Sequence, residues 1–300
     1  MAGTFFILLA CFFWAMDTLI RYPLVESGLE PVTIVFYEHL ILSLFFGWTL
    51  VAAIKRMGEL KISDLFSFFI VGCVGSGLAT VAFTESFHFL NPSLVILLQK
   101  LQPLVVIFLA AIVLKEPIEK KFLIWGAVCM LGGLLVSSPD IERFYHLLLD
   151  DFSLVISDTA VRGYLLVLVS IVGWGAATVF GKKLTLAGFE TKAILSGRFL
   201  AGLVALAPFV HWNRSLILPN GHDYLRILIM VLISGGLAMW LYYLGLKRIS
   251  AKTAAIAEMF FPFFAIIVNW IFLGKQLTDL QLVGGGILIF GSIVIQVKKY

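Results

Sequence analysis

Displacing the sequence by 160 residues sets Trp14 on Trp174, Gly28 on Gly188 and Glu30 on Glu190. Later in each half the displacement is 159, and Pro103 falls on Pro262, Gly126 on Gly285 and Gly132 on Gly291. Two copies of one unit, over 1–140 and 161–300 with a connector at 141–160, restrict the fold more than any local motif. A repeat that cannot cover its apolar surface alone must cover it against its copy. Both copies are almost wholly apolar: 61% of residues are hydrophobic and 13% charged, against about 45–50% and about 25% in soluble proteins. Duplicated apolar units with several spans per copy are a common build for secondary transporters, whose substrate site lies where the copies meet.

A membrane-crossing helix needs about 20 mainly apolar residues. Ten runs qualify, at 4–22, 32–54, 65–86, 92–114, 122–138, 163–181, 192–212, 224–246, 252–273 and 281–297. The predicted class is therefore an all-α integral membrane protein. The acidic stretch that joins the last run of one copy to the first of the next, about 139–162, carries Asp140, Glu142, Asp150, Asp151 and Asp158, and its part 144–156 mixes Leu, Phe and Tyr with acids. It reads as an amphipathic helix on the membrane surface. With the N-terminus in the cytoplasm, fourteen Lys and Arg fall in inner segments and six in outer ones, Arg21 among the six. The positive-inside rule then puts both termini in the cytoplasm. Five helices per copy is an odd number, so the second copy enters from the opposite side and the repeats are expected to be inverted.

That count leaves Lys100 and Arg198 inside the membrane, with the acids Asp17, Glu38, Glu85 and Glu258 and, close by, His39 and His88. A charge at the centre of a membrane helix costs about 2.5–3.5 kcal/mol on insertion scales, so it faces a partner or water. Asp17 and Arg21 are four apart and read as a local ion pair. Glu38 and Lys100 read as cavity-facing, paired or touching substrate. Arg198 and Glu258 read as a bridge between repeats or as gating groups, and Glu38 joins them because it matches Arg198 under the displacement. Gln99 matches Glu258 in the same way.

Pro103 and Pro262, inside the fourth and ninth runs, remove a backbone hydrogen bond and read as hinges. Gly72–Gly77, Gly132–Gly133 and Gly284–Gly286 read as close-packing stripes. Trp14, Trp174, Trp240 and Tyr243 are candidates to line a cavity beside Asp17, Glu38, His39, Gln99, Lys100 and Glu258. Cys11, Cys73 and Cys129 lie inside apolar runs and read as packed thiols, not a disulfide framework or metal site. No phosphate loop, zinc spacing or nucleophile elbow is present in the sequence, so neither cofactor nor metal nor nucleic acid is expected.

The chain resembles the EamA-type members of the drug/metabolite transporter superfamily. Pro103 with Leu114-Lys115-Glu116-Pro117, Gly126 and Gly132-Gly133 carries the resemblance in one repeat. Pro262 with Leu273 to Leu277, Gly285 and Gly291 carries it in the other. Phe13-Trp14, Gly173-Trp174-Gly175 and Arg198-Phe199-Leu200-Ala201 complete it. Glu38 stands where the family usually has Arg, and Lys275 where it usually has Glu. The resemblance implies a carrier for small metabolites in the cytoplasmic membrane, often exporting amino acids, driven by protons or by exchange, without ATPase. Alternating access to amino acids or related zwitterions is the leading expectation. Efflux of lipophilic cations, transport of a nucleoside- or cofactor-like metabolite, and a non-transporting receptor or membrane enzyme are the alternatives. The expected partners are a small-molecule substrate, protons and lipid, with the protein a monomer or homodimer.

Overall fold

A computed structural model describes residues 2–54, 61–115, 118, 120–150, 158–212, 219–238, 241, 245, 248 and 260–298. Among them every regular element is helical. The first half holds α1 (Ala2–Glu26), α2 (Pro31–Ile54), α3 (Ile62–Ser86), α4 (Pro92–Val113) and α5 (Lys120–Val136). α6 (Ser138–Asp150) follows, and then α7 (Thr159–Leu186), α8 (Thr191–Trp212), α9 (Gly221–Met230, continuing as a π-helix over Val231–Leu237), α10 (Phe260–Leu273) and α11 (Asp279–Lys298). Five of these, α1, α3, α4, α7 and α8, are long and apolar enough to cross a membrane. Leu44, Leu123, Ile124, Val204 and Ile271 are exposed. An apolar exterior of that kind suits hydrocarbon, not water.

The duplication is visible in how the helices stop. α1 and α7 both end in a left-handed glycine, Gly28 at φ 87° and Gly188 at φ 90°. In each, the glycine N–H reaches the carbonyl three residues back (Val25, 3.1 Å; Thr185, 3.0 Å). The next N–H reaches five back, from Leu29 to Leu24 at 3.2 Å and from Phe189 to Leu184 at 3.1 Å. This is the Schellman stop, which needs a residue free to adopt positive φ. The fourth helix of each half also ends in this conformation, at Lys115 (φ 57°) and Gly274 (φ 64°), again 159 residues apart.

The main contacts run between the halves. α2 packs on α8 and α5 on α11; α3 packs on α7 as α1 does on α9; α4 packs on α7 as α1 does on α10. Exchanging the halves leaves this pattern unchanged. Small residues make it possible. A Cβ on Gly132 would lie 2.6 Å from Leu288 N and 2.9 Å from Gly284 O. Gly286, by contrast, faces open space, so the glycine triplet in α11 is not a uniform packing stripe.

Two expectations shift in position. The connector helix is expected over 144–156 but runs over Ser138–Asp150, with 151–157 outside the described residues. Pro139 fits there because the first helical turn has no use for its missing N–H. In α4 the irregularity lies upstream of Pro103, as a 3₁₀ turn over Gln99–Leu101. Proline has no N–H for the Gln99 carbonyl, and the Gln102 N–H takes that carbonyl instead, which tightens the turn.

Candidate functional site

Asp17 and Arg21 lie on one face of α1, and Trp14 sits a turn before them on the same face. Arg21 is only 4% exposed. Its Nε donates to Asp17 Oδ2 at 2.6 Å, and Nη2 donates both to Asp17 Oδ1 at 3.2 Å and to Glu38 Oε2 of α2 at 2.9 Å. Nη1 donates to Thr84 Oγ1 of α3 at 3.2 Å. The second half joins through Ser234, whose hydroxyl lies 2.8 Å from Asp17 Oδ1 and 2.7 Å from the Met230 carbonyl. The Trp14 indole N–H donates to the Ser234 carbonyl at 3.1 Å. One guanidinium thus holds two carboxylates where α1, α2, α3 and α9 meet.

A second polar cluster begins one residue on. His39 is 1% exposed and Ser76 2%. His39 Nδ1 lies 2.8 Å from the Val35 carbonyl, which only accepts, so Nδ1 carries the proton. Its Nε2 then accepts from Ser76 Oγ at 2.9 Å, and Ser76 Oγ in turn accepts from Arg198 Nε at 3.1 Å. The relay Arg198–Ser76–His39–Val35 joins α8 to α3 and α2. A Cβ on Gly202 would lie 2.6 Å from the His39 ring, so glycine is what admits the imidazole.

Both hydroxyls sit in matched places. Ser76 lies in a π-helical stretch of α3 (Ile70–Leu78), and Ser234 in the π-helical stretch that continues α9. A π turn shifts the helix register by one residue and is frequent at functional sites. Each serine meets a charged residue of the other half. Ser76→Ala strips Arg198 Nε and His39 Nε2 of a shared partner, and is expected to destabilise the protein by about 2 kcal/mol. Ser170→Ala, which loses only a bond to Val167 in its own helix, is the control. Thermal unfolding of both variants in detergent measures the difference.

The remaining candidates are placed as follows. The Lys100 ammonium lies over the Phe261 ring, 5.1 Å from its centroid, and its carbonyl accepts from Ser292. Gln99 is buried, and its Nε2 has no partner among the described residues. Trp174 packs on Phe83 with ring centroids 5.2 Å apart. Pro262 is buried in α10. Glu85 pairs with Arg162 and His88 near the end of α3, apart from the triad. Trp240, Tyr243 and Glu258 lie outside the described residues, as does any bridge from Glu258 to Arg198. Arg21, expected in an outer segment, is instead the buried centre of the ion triad. Its spacing from Asp17 was the available signal. Thr84, Ser76 and Ser234 carry none, because hydroxyl residues in apolar helices rarely mark a site.

The profile of the EamA-like transporter family matches residues 1–138 and again 161–297. The chain is 31% identical to the riboflavin transporter ImpX of Fusobacterium nucleatum, over 98% of this chain and 97% of that protein. It is 25% identical to an uncharacterized transporter of Archaeoglobus fulgidus, over 96% of each, and 28% identical to the protein PecM of Dickeya dadantii, over 77% of this chain and 73% of that one. A solved crystal structure superposes with a TM-score of 0.60 at 15% identity, covering 99% of this chain and 97% of the other. That likeness concerns the fold alone.

Proposed function

Because this chain belongs to the EamA-like transporter family, we propose that it is a multi-pass carrier for riboflavin or a closely similar flavin. The observation that carries the reading is the 31% identity, over nearly the whole of both chains, to a protein named a riboflavin transporter. In this reading ten helices span the cytoplasmic membrane, as inverted repeats over 1–140 and 161–300 with both termini inside. The exchange symmetry of the helix contacts supports two equivalent halves that rock about a shared site. Trp14, Asp17, Glu38 and His39 belong to that site, together with Gln99 and Lys100, and Arg198 bridges the halves. Trp174, Trp240, Tyr243 and Glu258 complete the proposed lining, and Pro103 and Pro262 are its hinges. Protons or a counter-substrate drive the cycle, and no ATP is consumed.

Counterflow in proteoliposomes tests this. Vesicles loaded with unlabelled riboflavin are expected to accumulate labelled riboflavin, saturably and only when riboflavin is inside. Vesicles loaded with amino acids, the substrates expected from the resemblance, are expected to accumulate none. Flat riboflavin traces with accumulation of an amino acid would overturn the flavin reading and leave a carrier of zwitterions.

A further inference from the structure

We propose that Glu38 is the specificity-determining residue for a hydroxylated substrate chain: its carboxylate oxygen Oε1 takes hydrogen bonds from the polyol tail of the substrate. This rests on the flavin reading above and adds to it which part of the molecule the ion triad recognises. The two carboxylates of the triad are not equivalent. Asp17 spends both oxygens, Oδ2 on Arg21 Nε and Oδ1 on Arg21 Nη2, with the Ser234 hydroxyl beside it. Glu38 spends only Oε2, on Arg21 Nη2. Among the described residues, Oε1 accepts no hydrogen bond, and the Glu38 side chain keeps 16% exposure, close to the 14% of Asp17, so the difference between the two lies in the unused oxygen.

An open carboxylate oxygen at this depth calls for donors. Two carboxylates share one guanidinium, so the cluster carries an excess negative charge. Of the groups around it, Thr84 and Ser234 are neutral, His39 on the same helix turns both ring nitrogens to Val35 and Ser76, and the other nearby cation, Arg198, gives its Nε to Ser76 on the far side of His39. A neutral chain of hydroxyls supplies donors without bringing a second charge into the membrane, and hydrogen bonds to a charged acceptor are the strong kind. Arg21 fixes the carboxylate before the substrate arrives, so little ordering cost remains on binding. Trp14, oriented by its bond to the Ser234 carbonyl, lies on the Asp17 face of α1 and offers an aromatic surface for a flat ring.

The experiment compares riboflavin with lumiflavin, the same tricyclic ring bearing a methyl group in place of the ribityl chain. Dissociation constants for both are read by quenching of flavin fluorescence with purified wild type, Glu38→Gln and Glu38→Asp, each shown to be monodisperse. Wild type is expected to prefer riboflavin by about tenfold or more, the worth of one or two hydrogen bonds to a charged acceptor. Glu38→Gln, with a similar shape and no charge, is expected to lose most of that preference. Glu38→Asp, which withdraws the oxygen by one methylene, is expected to fall between. A packing role would weaken both ligands alike and leave their ratio unmoved. An unchanged ratio in both variants, or a wild type with no preference, overturns the proposal while the flavin reading stands. A wild type that binds neither flavin overturns both.

Discussion

Arg21→Ala is expected to cost about 3–5 kcal/mol, enough to leave little folded protein. Removing one partner of a buried ion cluster strands the others as uncompensated charges, and the penalty of that stranding exceeds the net worth of the intact pair. Here two carboxylates are stranded together, Asp17 and Glu38, with side chains 14% and 16% exposed, and Thr84 loses a donor as well. The measurement is the thermal unfolding midpoint of the detergent-purified variant, with the yield of monodisperse protein as a second readout. Arg21→Met combined with Asp17→Asn and Glu38→Gln should recover much of the loss, because it removes the charges together. A lone Arg21→Ala as stable as wild type would mean that the carboxylates reach water or hold protons in the folded state, and the triad would then have no structural role.

Gly132→Val is expected to break the α5–α11 contact and destabilise the protein by about 3 kcal/mol or more, at or beyond the upper end of ordinary overpacking. The first added carbon would meet backbone, not a side chain that can turn away: Leu288 N at 2.6 Å, with Leu288 Cα and Gly284 O at 2.9 Å. The contact is reciprocal, since a Cβ on Gly284 would meet Val136 N at 2.7 Å and Gly132 O at 2.9 Å. Neither helix can accept a side chain without moving the other. Gly286→Ala, one turn face away in open space, should by comparison be neutral. A thermal midpoint for Gly132→Val equal to that of Gly286→Ala would refute the close approach.

What the sequence discloses is strongest where one residue suffices. Gly28 and Gly188 announce matched stops because only a residue free of Cβ strain is comfortable at φ near 90°. The apolar runs announce helices because hydrocarbon leaves the backbone no other way to satisfy itself. Asp17 and Arg21 are readable as neighbours from their spacing. Glu38 is not, since its meeting with Arg21 depends on how α2 folds back after Gly28. Arg21 is misplaced by counting, because a run that ends at 22 by hydropathy continues as helix to Glu26. Ser76 is hidden for a different reason. It sits in a run of small residues, and the packing role is correct for its neighbour Gly72, where a Cβ would lie 2.8 Å from the Arg198 carbonyl. Only the π turn, which periodicity cannot show, turns Ser76 toward His39 and Arg198.

The order in which the ion partners occur along the chain bears on how such a protein is made. Domains and helices leave the ribosome N-terminus first, and a charge that reaches the bilayer before its partner pays the full insertion penalty. Asp17, Arg21 and Glu38 all lie on the first helical hairpin, so Arg21 has both of its carboxylate partners within the first 38 residues of the chain. Arg198 arrives much later, yet its hydrogen-bond partner Ser76, and His39 behind it, belong to helices already delivered. Arg21 therefore needs no carboxylate partner synthesised later, and α1 with α2 is the smallest piece of the chain in which its charge is compensated.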